Sequence, residues 1–188
     1  MAKIVVVNGM PMSGKSQFVE YCLRELGFYG EEVSTVDFVK ELAKLSGWDG
    51  VKRPRDRKFL SDLKDLLTEW NDVPYKKIVE ARDKLQDHLD YLGYDTNKGV
   101  IFTHCREPEE IKKFVDRENA ITVLLRRDAV ENLEQSNHAD ANVFNYEYDY
   151  VIENNGSLDE LQETAVKFLE EIEWDYIKEK VKKSFKDY

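Results

Sequence analysis

The chain has 188 residues and carries a formal net charge of −10 at pH 7. This length is enough for one domain with a buried core, and the acidic balance excludes broad electrostatic binding to a nucleic acid polymer. No apolar stretch approaches the roughly 20 residues of a membrane span, and no signal-peptide pattern precedes the first apolar run. We therefore expect a cytoplasmic protein that binds no membrane. We further expect a monomer or a homodimer.

The first predicted elements are a strand, a glycine-rich loop and a helix. Residues 3–8 form an apolar run, residues 9–16 read GMPMSGKS, and apolar side chains then recur at helical spacing from Phe18 to Leu26. The loop matches the pattern G-x-x-x-x-G-K-[ST] in its required context. Backbone N–H groups of such loops cradle phosphates, while Lys15 would reach the β and γ phosphates and Ser16 would bind Mg²⁺. The predicted nucleotide-binding residues here are Gly9, Met10, Pro11, Met12, Ser13, Gly14, Lys15, Ser16 and Gln17.

Four further strands are predicted, at residues 33–36, 100–103, 120–125 and 148–152. Continuous apolar runs are typical of strands buried on both faces of a parallel sheet, and the helical segments between them indicate an α/β fold. Residues 37–98 predict a helical insertion of three helices, and residues 126–147 are a polar insertion of the kind that forms lids. We interpret residues 1–188 as a single domain that contains these two insertions.

Loop, helical insertion and polar insertion together resemble the P-loop nucleoside monophosphate kinases. Short stretches in the same order resemble the phage-type deoxynucleoside monophosphate kinases: DFVK at 37–40, GWDG at 47–50, RKFL at 57–60, REPEE at 106–110, NHAD at 137–140 and YDYVIENNGSL at 148–158. The resemblance implies a three-layer αβα P-loop kinase fold with a five-stranded parallel sheet of order 2-3-1-4-5. It also implies that residues 37–98 bind the acceptor and that residues 126–147 are a short lid.

The reaction implied by this resemblance is phosphoryl transfer from ATP, with Mg²⁺, to a nucleoside or deoxynucleoside 5′-monophosphate. Arg106, after the third strand, would grip the acceptor phosphate, although a surface ion pair with Glu109 or Glu110 would also explain it. Arg126 and Arg127 would neutralise charge during transfer, or they simply end the fourth strand.

The remaining site residues carry alternative interpretations too. Asp37 follows the second strand, where it is either a helix N-cap or a catalytic and acceptor-binding residue near Mg²⁺. Asn154 and Asn155 stand where the family has its adenine-contacting turn, although a simple turn would look the same. His138 and Asp140 are either solvated lid residues or functional ones. The predicted acceptor-binding residues are Asp37, Lys40, Arg57 and Arg106.

A basic cluster falls inside the predicted acceptor insertion. It consists of Lys52, Arg53, Arg55, Arg57 and Lys58. Such a run is usually a solvated face, but an incoming monophosphate carries nearly two negative charges that it could bind. Arg57 is preferred because it belongs to a matching stretch.

One position departs from the family pattern, in which an aspartate commonly stands where this chain has His104. Metal support would then rest on Ser16, the phosphates and water, with Asp37 nearby. A kinase of another small metabolite, of the dephospho-coenzyme A kinase type, and a nucleotide-binding protein without catalysis remain alternatives. A GTP-dependent switch is disfavoured, because residues 97–100 read NKGV and lack the aspartate of N-K-x-D.

Overall fold

The structure, a computed structural model, describes residues 1–131 and 142–184, with side chains for residues 1–130 and 142–172. His138 and Asp140 of the predicted lid therefore lie outside the described residues. Within the described part of the chain, no helix is long and apolar enough to cross a membrane.

Five parallel strands form one sheet of order β2-β3-β1-β4-β5. They are β1 (Lys3–Gly9), β2 (Gly30–Glu32), β3 (Val100–His104), β4 (Ile121–Arg126) and β5 (Tyr150–Glu153). The central strand β1 is buried on both faces, since Val5 and Val6 expose none of their surface. This explains its unbroken apolar run. The predicted α/β class and strand order are confirmed.

Helices cover both faces of the sheet and give the predicted three layers. They are α1 (Lys15–Leu26), α2 (Asp37–Leu45), α3 (Pro54–Asn71), α4 (Val73–Tyr91), α5 (Pro108–Glu118), α6 (Asp128–Glu131) and α7 (Leu158–Ser184). On one face, Phe18 of α1 and Phe168 of α7 pack in the same cluster as Val7. On the other face, α4 and α5 pack against Ile4 and Val6.

The predicted second strand was misplaced. β2 covers Gly30–Glu32, and its pairing with β3 ends when the Val33 N–H donates to the Phe102 carbonyl at 2.9 Å. Residues 34–36 instead lead into α2, because the Ser34 N–H donates to Asp37 Oδ2 at 2.9 Å. The apolar residues Val33 and Val36 suggested a strand, whereas the observed edge strand ends in two glutamates and lacks an apolar signature.

The helical insertion between β2 and β3 contains three helices, as predicted. Helix α4 joins the core through Ile78 and Leu89, which are fully buried. Helix α3 packs mainly against its neighbours α2 and α4. Its apolar stripe is therefore only partly covered, and Leu66 and Trp70 remain exposed.

Candidate functional site: a phosphate loop at the carboxyl edge of the sheet

The phosphate loop joins the carboxyl end of β1 to α1 and closes on itself. Lys15 Nζ donates hydrogen bonds to the carbonyls of Gly9 at 2.6 Å and Met10 at 2.7 Å, and the Ser13 N–H donates to the Met10 carbonyl at 3.2 Å. Gly14 has a φ of 96°, and a Cβ there would lie 2.2 Å from Asn154 Nδ2. The loop conformation therefore requires glycine at this position.

Side chains from distant parts of the chain hold the loop in place. The Gly9 N–H donates to Oδ1 of the buried Asn8 at 2.8 Å, and Asn8 Nδ2 donates to the Tyr148 hydroxyl at 2.7 Å. That hydroxyl in turn donates to the Val143 carbonyl at 2.8 Å. Burial raises the pKa of Tyr148 to about 12, so the hydroxyl keeps its proton at neutral pH. The start of the loop is thus tied to the segment that precedes β5.

The turn after the edge strand β5 also contacts the loop. Asn154 Nδ2 donates to the Ser13 carbonyl at 2.8 Å, whereas Asn155 Oδ1 accepts from the Asp128 N–H at the start of α6, also at 2.8 Å. Both asparagines therefore make hydrogen bonds within the protein, and their contact with adenine stays a prediction. The role of Asn8 was not predicted from the sequence. The one feature that could have indicated it is a polar amide side chain at the end of a buried apolar strand.

The loop residues differ in what they present to solvent. Met10 packs into a small buried cluster with Val143, whereas Met12, with a φ of 63°, is exposed at the loop tip. Ser16 is exposed in the first turn of α1. Ser13 Oγ is buried and has no hydrogen-bond partner among the described residues. The loop therefore contains a buried hydroxyl whose hydrogen-bonding capacity the described residues do not satisfy.

Three arginines stand at the same edge of the sheet as the loop. Arg106 follows β3, and Arg126 ends β4 with Nη1 3.3 Å from Glu153 Oε1 and its guanidinium 5.8 Å from the centre of the Phe144 ring. Arg127 follows directly and is exposed. Because every strand is parallel, their carboxyl ends share one edge, which is where ligands bind in such sheets.

The predicted acceptor residues Asp37 and Lys40 pair with each other. Asp37 Oδ1 accepts from Lys40 Nζ at 2.7 Å, while Oδ2 accepts from the Ser34 N–H. Asp37 is thus the first residue of α2, and its carboxylate bonds back to the preceding turn; the interpretation as an N-cap residue was wrong in this detail.

The basic cluster is largely neutralised within the insertion. Arg53 donates to Asp49 Oδ2 at 2.6 Å and to Asp56 Oδ2 at 3.1 Å, and its hydrogen bonds lower the pKa of Asp49 to about 2. Lys58 pairs with Asp62 one turn along α3. Arg57 is exposed and donates from Nε to the backbone of Lys52 at 3.3 Å. Neighbouring aspartates at the start of α3 therefore neutralise much of the positive charge of this cluster.

An open cleft of about 370 Å³ lies between the end of α2 and the start of α3. Its lining includes the aromatic side chains of Trp48 and Phe59, and Trp48 Nε1 donates a hydrogen bond to the Val51 carbonyl at 2.9 Å. The other lining residues are Ser46, Gly47, Asp49, Arg53, Arg55 and Asp56. The aromatic pair was not assigned a role from the sequence, and Arg57 and Lys40 lie outside this lining.

His104 ends β3 and contacts the neighbouring strand. Its Nε2 lies 2.9 Å from Glu32 Oε1, and its Nδ1 is buried without a hydrogen-bond partner among the described residues. The histidine is therefore held at the carboxyl edge, at the position where the resemblance implied an aspartate.

No family model and no curated protein sequence matches the chain. Solved structures that are similar to it include a sugar kinase from Janibacter sp. HTCC2649, at 15% identity and a TM-score of 0.46 over 90% of this chain and 95% of that one. A putative kinase from Chloroflexus aurantiacus gives 10% identity and a TM-score of 0.49 over 90% and 97%. Shikimate kinase from Acinetobacter baumannii gives 15% and 0.43 over 93% and 95%. At these values the matches assign neither an activity nor a substrate to this chain.

Proposed function

We propose that the protein transfers the γ-phosphoryl group of ATP to a nucleoside or deoxynucleoside 5′-monophosphate and releases ADP and the diphosphate. The observation that carries this proposal is the position of the phosphate loop, which shares one edge of a parallel sheet with Arg106, Arg126 and Arg127. The loop alone is enough to bind the phosphates of one nucleotide. Arginines at the ends of β3 and β4, the two strands beside β1, favour a reaction in which two polyanions are bound next to each other.

The donor half of this site is the loop with Lys15 and Ser16. The loop N–H groups and Lys15 would hold the β and γ phosphates, and the exposed Ser16 hydroxyl would hold Mg²⁺. Bound Mg²⁺ supplies neutralising charge on the phosphate oxygens. The buried Ser13 hydroxyl, which has no hydrogen-bond partner in the described part of the chain, and the closely packed Gly14 fit such a ligand, because the loop has polar groups and leaves no room for a side chain.

The acceptor half is the helical insertion together with Arg106. A cleft of about 370 Å³ is within the range that holds small ligands, and its aromatic side chains Trp48 and Phe59 match a flat base. The acceptor phosphate is itself the nucleophile, so positioning and charge neutralisation are the main requirements. Arg106 and Arg57 are the cations proposed to bind that phosphate.

The experiment that tests this function is an ADP-release assay with ATP and Mg²⁺ against the common ribonucleoside and deoxyribonucleoside monophosphates, with dephospho-coenzyme A as a further acceptor. We expect turnover with at least one monophosphate and its loss in Lys15→Ala, while Arg24→Ala, on the exposed surface of α1, behaves as wild type. Turnover only with dephospho-coenzyme A would replace the proposed acceptor. ATP binding without turnover on any acceptor would overturn the kinase assignment.

A further inference from the structure

Helix α3 has an apolar side that is largely exposed. Within the described part of the chain, Asp56 is the one residue of this 18-residue helix that is buried. Phe59, Leu66 and Trp70 are instead 42%, 61% and 81% exposed. We propose that this side of α3 binds the same side of α3 in a second copy of the chain, with the two helices antiparallel. The inference does not depend on the proposed reaction.

The exposed apolar residues of α3 belong to one continuous stripe. Arg55, Phe59, Asp62, Leu66 and Trp70 follow one another at spacings of four, three, four and four residues. Residues three and four apart are neighbours on the surface of a helix, so these five side chains lie along one side. Spacings of three and four are also typical of helices that pack side by side over several turns. Another helix is therefore a fitting partner for this stripe.

Charge is distributed unequally along the same side of α3. Arg55 and Lys58 stand in its amino-terminal half, Asp65 and Glu69 stand in its carboxyl-terminal half, and all four are exposed. A parallel pair of these helices would bring like charges together, and the net charge of −10 would add to the repulsion. An antiparallel pair places the basic half of one copy beside the acidic half of the other. The charges therefore favour the antiparallel orientation.

A two-fold axis near Asp62 matches these groups to one another. Residues at equal distances from the axis in opposite directions then face each other. Arg55 of each copy lies beside Glu69 and Trp70 of the other, and a guanidinium group binds both carboxylates and aromatic rings. Arg55 also lines the cleft between α2 and α3, so the second copy would border the proposed acceptor site.

The middle of the paired helices is mainly apolar. Leu66 of each copy lies beside Phe59 of the other, and Asp62 at the axis is neutralised by Lys58 of its own helix at 2.6 Å. A helix of 18 residues is about 27 Å long, so the surface is at the small end of specific interfaces. We therefore expect a dissociation constant of about 1–100 µM.

Sedimentation velocity of the full chain without nucleotide tests the proposal, over protein concentrations of about 1 to 200 µM. We expect monomer at the low end and dimer at the high end. Trp70→Lys and Leu66→Asp should each raise the dissociation constant by about 10-fold or more. Tyr91→Lys is the matched control, because Tyr91 is 88% exposed on α4, and it should behave as wild type. Circular dichroism checks the fold of each variant.

An exchange of charges tests the proposed pairing directly. Arg55→Glu and Glu69→Arg should each raise the dissociation constant by about 5-fold or more, because each creates two contacts between like charges in the dimer. The double variant restores opposite charges and should return to within about 2-fold of wild type. A merely local effect of either substitution on α3 would not be reversed in this way.

The orientation of the helices is tested by disulfide formation under mild oxidation. Asp62→Cys lies near the axis and should link the two copies. Glu69→Cys should not, because residue 69 would be about 21 Å from its counterpart, whereas a disulfide needs Cα atoms within about 7 Å. The natural residues Cys22 and Cys105 are buried and do not interfere.

Three results would overturn the inference. The first is a monomer at every concentration. The second is a dimer whose dissociation constant is the same in wild type, Trp70→Lys and Leu66→Asp, since this would place the interface elsewhere. The third is a disulfide between copies of Glu69→Cys, which would show a parallel pair. Failure of the proposed function is distinguishable, because these measurements use neither nucleotide nor turnover.

Discussion

Lys15 is held by the carbonyls of Gly9 and Met10, which belong to its own loop. Lysine is a compact charge on a flexible stem, so its ammonium can exchange these carbonyls for phosphate oxygens without a change in the backbone. The loop shape is instead set by backbone conformation and close packing at Gly14. At the scale of single residues, the proposed nucleotide site therefore has the shape of its loop without a bound ligand.

Gly14→Ala should abolish nucleotide binding while the protein stays folded. A Cβ would collide with Asn154 Nδ2 and remove its hydrogen bond to Ser13, in addition to a backbone cost of about 1–2 kcal/mol. Gly93→Ala is the matched control, because Gly93 also has a positive φ but open space around it. Calorimetric titration with ATP checks this. Equal nucleotide affinity in both variants would contradict the account of the loop.

Arg106→Ala should raise the KM for the acceptor by 10-fold or more and leave the affinity for ATP nearly unchanged. The reason is that hydrogen bonds to charged groups contribute about 1.5–3 kcal/mol, and the proposed partner of Arg106 is the acceptor phosphate. Initial rates at varied acceptor and varied ATP separate the two effects, with Arg24→Ala as the surface control. Loss of ATP binding in Arg106→Ala would show that this arginine serves the donor.

At the scale of elements, the site depends on contacts between strands that are far apart in sequence. Asn8 at the end of β1 and Tyr148 before β5 are 140 residues apart and share a hydrogen bond of 2.7 Å. Through the Val143 carbonyl, this link reaches the segment that follows residues 132–141. One partly buried chain of hydrogen bonds thus connects the loop with the end of the predicted lid.

Tyr148→Phe should lower the free energy of unfolding by about 1–3 kcal/mol at neutral pH, because Asn8 Nδ2 would lose its shorter hydrogen bond and the Val143 carbonyl would lose its donor. Tyr91→Phe, at an exposed position on α4, is the matched control. Urea denaturation checks the difference. No change in Tyr148→Phe would mean that the hydrogen bond makes no net contribution.

The raised pKa of Tyr148 predicts that the free energy of unfolding decreases at alkaline pH. Its pKa is about 12 in the folded protein and near 10 in the unfolded chain, so unfolding releases a proton between these values. The stabilisation is fully present below pH 10 and is lost as the pH rises toward 12. Tyr148→Phe should make the decrease in unfolding free energy over this range shallower. An unchanged slope would contradict the assigned burial.

The sequence predicted those elements whose signal is local. β1 and β4 are continuous apolar runs, and the phosphate loop is a fixed spacing of residues between a strand and a helix, so each could be recognised without the rest of the fold. β2 could not, because an edge strand ending in Glu31 and Glu32 needs no apolar face. The contacts of Asn8 and Asn154 follow from strand order and register, which no local pattern encodes.

At the scale of the whole molecule, an acidic chain concentrates the cations proposed for polyanion binding at one edge of its sheet. The net charge is −10, yet Lys15 and Arg106 stand at the carboxyl ends of adjacent strands. A polyanion bound there should stabilise the folded state by mass action. The same charge balance gives no broad basic surface for a nucleic acid polymer.

ATP with Mg²⁺ at 100 times its dissociation constant should stabilise the protein by about 2.7 kcal/mol. For a domain of this size, that corresponds to an increase in Tm of roughly 5–10 °C. A thermal shift assay measures it, and Lys15→Ala should abolish the increase. A similar increase in the wild type and in Lys15→Ala would place the nucleotide elsewhere.

Transfer to a nucleoside monophosphate is tested most sharply by the rate of ADP formation from ATP and Mg²⁺ with and without that monophosphate. We expect a suitable monophosphate to raise this rate by at least about 100-fold, which positioning of two bound reactants readily supplies, and the diphosphate to form in an amount equal to ADP. A rate that is the same with and without every monophosphate would contradict it, because the phosphate loop would then serve hydrolysis or binding alone.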